Sequence, residues 1–135
     1  MVTVRPFNTF GPRQSARGVI PTIITQALVK ESILLGNTTT TRDFTYIDDT
    51  IAGFLKAAEC SEAIGGTFNL GTGVEIAIGK LAEMLMELTG KRLPVILDEQ
   101  RLRPQGSEVL RLISDNSLAK QVIGLTPMVT FEDGL

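Results

Sequence analysis

Short β-branched runs alternate with amphipathic helical stripes along this chain, and that alternation limits its fold more than any other feature of the sequence. Glycine, proline or asparagine lies at the ends of most of these runs, as is typical of strands. Apolar residues at helical spacing occupy most of the segments between the runs. Strands that alternate with helices in this way are typical of a layered α/β sheet. The strand-like runs lie at 2–8, 32–37, 41–47, 67–70, 93–99 and 109–115.

Three helices are predicted from apolar residues at i, i+3, i+4 and i+7 spacing. Pro21 suits the first turn of the first helix, where no amide donor is needed. Asp48 or Asp49 is expected to cap the second helix, and Gly90 to end the third in a left-handed conformation. The predicted inner stripes are Ile20, Ile23, Ile24, Ala27 and Leu28; Ile51, Phe54, Leu55 and Ala58; and Ile78, Leu81, Ala82, Leu85 and Leu88.

The remaining signals complete a single α/β unit over residues 1–135. Asp115 is expected to cap a last helix that Gly124 stops, and Thr130 is placed to cap a further short one. No repeat, low-complexity tract or linker divides the chain. The strand at 2–8 has no hairpin partner before it, and a lone strand needs a neighbour for its amides and carbonyls. We therefore expect the chain to be part of a larger protein.

Charge and composition exclude several classes of site. The formal net charge is -2, histidine is absent and Cys60 is the only cysteine. Zinc chemistry and a Ser-His mechanism therefore lack their usual groups. The charge gives no broad field to attract nucleic acid, and no apolar run approaches the roughly 20 residues that span a bilayer. We expect a cytoplasmic protein with a small ligand, bound by individually placed arginines, and no nucleic-acid or membrane partner.

Four stretches in order carry a family resemblance: RPFNTFGPRQ at 5–14, TRDFTYIDD at 41–49, FNLGTG at 68–73 and RLRPQGSEV at 101–109. Together they resemble the C-terminal, substrate-binding portion of the extended short-chain dehydrogenases/reductases, in particular the NAD-dependent nucleotide-sugar epimerases and 4,6-dehydratases of the GDP-mannose dehydratase type. The resemblance implies a fragment of a Rossmann-type fold: the last strands of the sheet plus the small substrate-binding subdomain.

The opening strand gains a role from this resemblance. It implies that Phe7 lies near the nicotinamide end of the cofactor and that Asn8 binds the nucleotide-sugar diphosphate. Ligands of open α/β sheets gather at the carboxyl ends of strands, and an asparagine there offers both donors and an acceptor. The alternative is that Asn8 caps a turn and Phe7 belongs to the core.

Two arginines and one acid are implied as further substrate ligands. Arg42 and Arg103 would hold the diphosphate from opposite sides, because a planar guanidinium donates two parallel hydrogen bonds to phosphate oxygens. Taken alone, Arg42 is as easily a solvated charge. Glu108 resembles the acid that contacts the ribose, and a surface salt bridge to Arg101 or Arg111 is the alternative.

Other polar and apolar positions remain open between two interpretations. Ile20 and Pro21 resemble residues of the base pocket, although Ile20 also belongs to a helix stripe. Asn69 either reaches the substrate or forms a turn. The GTG at 71–73 lacks the third glycine and the acidic residue of a dinucleotide fingerprint, so we assign it no phosphate role. The acidic pair at 48–49 is better explained by helix capping than by catalysis.

The catalytic parts of the family are missing from the chain. It has no glycine-rich cofactor loop, and the only tyrosine, Tyr46, is followed by IDDT without the lysine of a Tyr-x-x-x-Lys pair. No catalytic or metal-binding residue is therefore assigned. NAD would belong to the parent enzyme, whose implied reaction moves a hydride from the sugar C4 to NAD and back. We expect a nucleotide-sugar-binding portion that is inactive alone, self-associates or pairs with a missing N-terminal half; the alternative is a catalytically silent binding or assembly module.

Overall fold

The computed structural model describes residues 1–102, 104 and 106–135. Strands and helices alternate in these residues, which agrees with the predicted α/β class. The strands are β1 (Thr3–Pro6), β2 (Asn8–Phe10), β3 (Ile33–Leu35), β4 (Thr41–Arg42), β5 (Phe44–Tyr46), β6 (Thr67–Leu70), β7 (Ile76–Ala77), β8 (Val95–Leu97) and β9 (Arg111–Leu112). The helices are α1 (Val19–Val29), α2 (Ile47–Glu59), α3 (Ile78–Leu88), α4 (Ser117–Ile123) and α5 (Phe131–Gly134), with 3₁₀ turns at Ser61–Ala63 and Glu99–Arg101.

The chain divides into two compact units that are interleaved along the sequence. Unit 1 contains Met1–Pro12, Arg42–Glu75 and Leu112–Leu135. Unit 2 contains Arg13–Thr41 and Ile76–Arg111. The single unit expected over the whole length stays a prediction, and each unit is described by itself below.

Unit 1 contains two parallel strand pairs. In the first, β1 pairs with β6 in the register Thr3 to Thr67. In the second, β2 pairs with β5 in the register Asn8 to Phe44. Helices α2 and α4 cover the first pair with a core that includes Phe68. Parallel strands must be joined by a crossover connection. Helix α2 lies between β1 and β6 in the sequence and packs against β1, so it is part of that connection.

Four aromatic side chains fix the end of the chain to this unit. Phe131, at the start of α5, lies 5.1 Å from Phe10 and 5.5 Å from Phe44, measured between ring centroids. Tyr46 contacts Phe10 edge-on at 5.6 Å. Such pairs stabilise a core beyond their buried area. The Thr130 hydroxyl accepts a hydrogen bond from the Asp133 N–H at 3.1 Å, so the predicted cap is confirmed.

In unit 2, α1 packs against α3 and against strand β3, which pairs in parallel with β8. Ile23 on α1 and Leu81 on α3 are fully buried, in agreement with the predicted stripes. Gln26 is also buried, and its side-chain amide makes hydrogen bonds of 2.9 and 3.2 Å with the backbone of Leu34. These bonds satisfy the amide inside the core, which is why a polar residue occupies this position. Gly90 has a φ of +66° just after α3, so the predicted terminator is confirmed.

The buried face of α2 differs from the predicted stripe. Ile51, Phe54 and Leu55 are 45–57% exposed. The face that packs inward instead carries Asp49, Thr50, Gly53 and Ala57. The helix packs against the strands through its smallest residue: a Cβ on Gly53 would lie only 3.0 Å from the Leu70 methyl groups. Close approach of the backbone therefore decided the orientation of this helix, against its hydrophobic periodicity.

Several predicted boundaries were wrong. The predicted strand at 2–8 breaks at Phe7 into β1 and β2, which extends to Phe10, and the run at 41–47 breaks at Asp43 into β4 and β5. The run at 109–115 is a strand only at Arg111–Leu112. Leu28 and Leu88 lie near the ends of their helices and are more than 60% exposed, because the packing partner does not extend that far.

Candidate functional site

A buried carboxylate organises unit 1 at the ends of its strands. Asp43 has no exposed surface and separates β4 from β5. Its Oδ1 accepts hydrogen bonds from the Thr72 N–H at 3.0 Å and the Thr72 hydroxyl at 2.6 Å. Its Oδ2 accepts from the N–H groups of Gly73 at 2.9 Å and Ser114 at 3.1 Å. Four donors therefore compensate the loss of hydration that a buried carboxylate suffers.

The glycines at 71 and 73 make this arrangement possible. A Cβ on Gly71 would lie 2.4 Å from the Ser114 Cβ and 2.7 Å from the Asp43 Oδ2. Gly73 has a φ of +79°, which turns its N–H toward the carboxylate at little conformational cost. The N–H groups of Thr72 and Gly73 are thus occupied by a carboxylate of the protein itself. This turn does not fit the pyrophosphate of a dinucleotide cofactor.

Asn8 contacts the main chain of the same aspartate. Its backbone N–H and its side-chain Nδ2 both donate to the Asp43 carbonyl oxygen, at 3.2 and 3.1 Å. Phe7, just before it, is half-buried and donates its N–H to the Leu70 carbonyl at 3.0 Å. Asn8 lies two residues after the end of β1 and is the first residue of β2, whereas the sequence predicted that it would end a strand and begin a loop. Asn8 therefore lies beside Asp43, which directly follows Arg42 in the chain.

Asn69 and Asn116 connect β6 to the segment that follows β9. The Nδ2 of Asn69 donates to the Asp115 carbonyl at 3.0 Å. The Nδ2 of Asn116, which is buried, donates to the Gly71 carbonyl at 2.7 Å. These two bonds hold the end of β6 against the segment that follows β9, at the two residues directly after Ser114.

The other predicted ligands lie at different places along the chain. Arg42 is half-buried in β4, directly before Asp43. In unit 2, Ile20 is buried in α1, Pro21 is half-buried beside it, and Glu108 is half-buried. Arg103 lies outside the described residues. Unit 1 thus brings Asn8 close to the Arg42–Asp43 segment. The binding roles of Arg42, Ile20, Pro21, Glu108 and Arg103 stay predictions.

Sequence reasoning missed Asp43, Ser114 and Asn116. A signal for Asp43 existed, since it is a charged residue inside a strand-like run, and a buried carboxylate requires a full set of donors. Nothing in the sequence pointed to Ser114, whose contribution comes from its backbone. Its own hydroxyl is buried and has no hydrogen-bond partner among the residues that the structure describes.

The acidic pair at the start of α2 has a structural role different from the one expected. Helix α2 follows Tyr46 with no side-chain cap, so the capping prediction was wrong. The carboxylate of Asp49 is buried and accepts from the N–H groups of Met128 at 2.8 Å and Val129 at 3.0 Å. Asp48 is exposed. Asp49 therefore anchors the C-terminal segment, and the pair does not form a catalytic dyad.

Asp115 lies one residue before the capping position of α4. Its carboxylate accepts hydrogen bonds from the Ser117 hydroxyl and from the Ser117 N–H. These bonds stabilise the charged form and hold the pKa of Asp115 below its usual range. The predicted stop at Gly124 is confirmed by its φ of +62°.

Two further features concern metals and membranes. Within the described ranges, no cluster of three or more histidine, cysteine, aspartate or glutamate residues is arranged to hold a metal ion. No helix in this part of the chain is long and apolar enough to cross a membrane.

Comparison with known proteins relates this geometry to a family. The model of the GDP-mannose 4,6-dehydratase family matches residues 1–135. The UDP-glucose 4-epimerase of Mycolicibacterium smegmatis is 31% identical over 98% of this chain and 42% of its own length. The UDP-glucuronic acid decarboxylase 3 of Arabidopsis thaliana is 31% identical over 97% of this chain and 37% of its own length.

A solved structure has the same fold. The UDP-glucuronic acid 4-epimerase of Bacillus cereus, in complex with UDP-glucuronic acid and NAD, superposes with a TM-score of 0.87 at 32% identity, over 98% of this chain and 42% of that chain. The chain thus spans about two fifths of the length of these relatives. Its α/β elements match part of a Rossmann-type enzyme, as the resemblance implied. The chain belongs to the NAD-dependent nucleotide-sugar epimerase and dehydratase family of extended short-chain dehydrogenases/reductases.

Proposed function

We propose that this chain is the nucleotide-sugar-binding portion of an NAD-dependent epimerase or 4,6-dehydratase. The observation that carries the proposal is the double hydrogen bond from Asn8 to the Asp43 carbonyl. It brings the Asn8 amide, just beyond the carboxyl end of β1, to the Asp43–Phe44 peptide one residue after Arg42, and ligands of an α/β sheet collect at the carboxyl ends of strands. An arginine and an asparagine supply the donors that a diphosphate needs.

Each proposed ligand has a distinct task. Arg42 neutralises the diphosphate through paired hydrogen bonds, and Asn8 orients it. The family resemblance adds Arg103 as a second diphosphate ligand and Glu108 as an acceptor for ribose hydroxyls. It also implies that the Asn69 side chain extends toward the sugar.

The same resemblance assigns the less polar positions. Ile20 and Pro21 would line the base pocket, with Phe7 near the nicotinamide of a complete enzyme. The Gly71–Gly73 turn is already occupied by Asp43, so no cofactor step is assigned to the residues of this chain.

Calorimetric titration of the chain with UDP, GDP, CDP and dTDP sugars tests this proposal. Binding of one of them is expected, and Arg42→Ala should weaken it about ten- to 150-fold, since a charge-assisted hydrogen bond contributes about 1.5–3 kcal/mol. Arg17→Ala is the matched control because Arg17 is exposed and has no proposed role. Equal affinity of wild type and Arg42→Ala, or no binding of any sugar nucleotide, would refute the proposal.

A second candidate function, assembly with another polypeptide, is favoured by exposed surfaces of unit 1. Among the described residues, β1 pairs with β6 alone, which leaves its other edge open. On α2, the apolar side chains Ile51, Phe54 and Leu55 are exposed together. Parallel strands are ordinarily covered on both faces, and open edges pair readily with other chains.

Light scattering of the chain tests assembly through these surfaces. Self-association is expected, and Phe54→Asp should shift it toward monomer because a charge is costly in an apolar interface. Glu59→Ala, at an exposed polar position on the same helix, is the control. A monodisperse monomer at all concentrations would count against self-association and leave nucleotide-sugar binding as the better account.

A further inference from the structure

Asp43 connects every chain segment of unit 1 that carries a proposed substrate ligand. Its carbonyl accepts from Asn8, its N–H donates to the Leu112 carbonyl at 2.9 Å, and it follows Arg42 directly in the chain. Its carboxylate accepts from the turn after β6 and from Ser114. We propose that Asp43 is the positioning residue of the nucleotide-sugar site, an inference that rests on the proposed function.

A carboxylate is required at this place because all of its neighbours donate. Thr72 supplies two donors to one oxygen, while Gly73 and Ser114 supply one each to the other. An asparagine of the same shape would aim its own NH₂ group at one of these sets of donors. That set would lose its acceptor in a space with no room for water, since a methyl-sized group at Gly71 already collides there.

Loss of these bonds would move the ligands as a group. The segment after β9 is also held just beyond the Ser114 contact, where Asn69 donates to the Asp115 carbonyl and Asn116 donates to the Gly71 carbonyl. Release of Ser114 and of the turn at 72–73 therefore loosens Asn69, and release of Asp43 itself shifts Arg42 and Asn8. Asp43 does not have to touch the diphosphate to control its binding.

The test compares Asp43→Asn with Asp48→Asn, which removes the same charge from an exposed position. Asp43→Asn should reduce affinity for the sugar nucleotide bound by wild type at least about tenfold, after correction for folded fraction. Asp48→Asn should bind like wild type. Unchanged affinity in folded Asp43→Asn would overturn the proposal.

A double-mutant cycle with Arg42→Ala separates positioning from general destabilisation. If Asp43 positions Arg42 together with Asn8 and Asn69, the loss of affinity in the double variant should be smaller than the product of the two single losses. Fully multiplicative losses in affinity would instead mean that Asp43 supports the fold alone, and would overturn the positioning role.

A ligand-free readout keeps this inference distinct from the proposed function. In NMR spectra of the chain, Asp43→Asn should shift the side-chain resonances of Asn8, Arg42 and Asn69, and Asp48→Asn should leave them in place. Unshifted resonances would refute the inference even if wild type binds no sugar nucleotide, a result that would refute the proposed function separately. If Asp43→Asn does not fold, Thr72→Ala, which removes one hydroxyl donor, should produce the same shifts to a smaller degree, and their absence would refute the inference.

Discussion

Replacement of Gly71 by alanine should destabilise unit 1 strongly, through steric overlap alone. The added Cβ would lie 2.4 Å from the Ser114 Cβ and 2.7 Å from the Asp43 Oδ2. Carbon atoms pack best at about 3.5–4.0 Å, so one of the two segments must move by about 1 Å or more. Overpacking costs about 1–3 kcal/mol, and any shift of Ser114 also weakens its charge-assisted bond to Asp43, worth about 1.5–3 kcal/mol. The expected loss is about 3–5 kcal/mol.

Gly65→Ala provides the matched control. Gly65 has a φ of +85°, yet nothing lies within 4 Å of the position that its Cβ would occupy. Its replacement costs only the left-handed strain of a non-glycine residue, about 1–2 kcal/mol. Urea unfolding followed by circular dichroism measures both losses.

A suppressor distinguishes the steric cause from any other. Ser114→Gly removes the Cβ and the hydroxyl that the new methyl group would meet, so it should recover part of the stability lost in Gly71→Ala. A loss in Gly71→Ala no larger than that of Gly65→Ala, or no recovery in the double variant, would refute the reasoning.

Three further predictions concern the two units separately. Leu81→Ala should cost about 2–5 kcal/mol because Leu81 is fully buried, while Leu88→Ala on the same helix should change stability little, as urea unfolding would measure. Because the folded-state pKa of Asp115 is lowered, its hydrogen bonds to Ser117 stabilise α4 fully at pH values above the ordinary aspartate pKa of 3.8 and are lost as the pH falls through the lower folded-state pKa. The NMR chemical shift of the Ser117 amide should change over that pH range in wild type and stay constant in Asp115→Asn. Asp49→Ala should speed hydrogen exchange at the backbone amides of Met128 and Val129, which donate to the Asp49 carboxylate. Unchanged exchange would contradict the anchoring role of Asp49.

Local chemistry in the sequence determined the fold class and many of the elements. The stripe around Leu81 predicted α3, the short apolar run before Gly36 predicted β3, and Gly90 marked a helix end through its need for a left-handed conformation. The signals for the elements are local, since each depends on residues within a few turns or strand positions of one another. The four motifs at 5–14, 41–49, 68–73 and 101–109 together predicted the family, which the comparisons confirm.

Only the tertiary structure decided which side of α2 is buried and what the acidic residues do. Gly53 brings the helix close to Leu70, and this contact between distant segments outweighs the apolar stripe of Phe54 and its neighbours. The sequence places Asp43 beside Arg42, but its four donors come from residues 29 to 71 positions away. A buried charge is stabilised by the whole set of groups that folding brings around it, so its role is determined only when those segments meet.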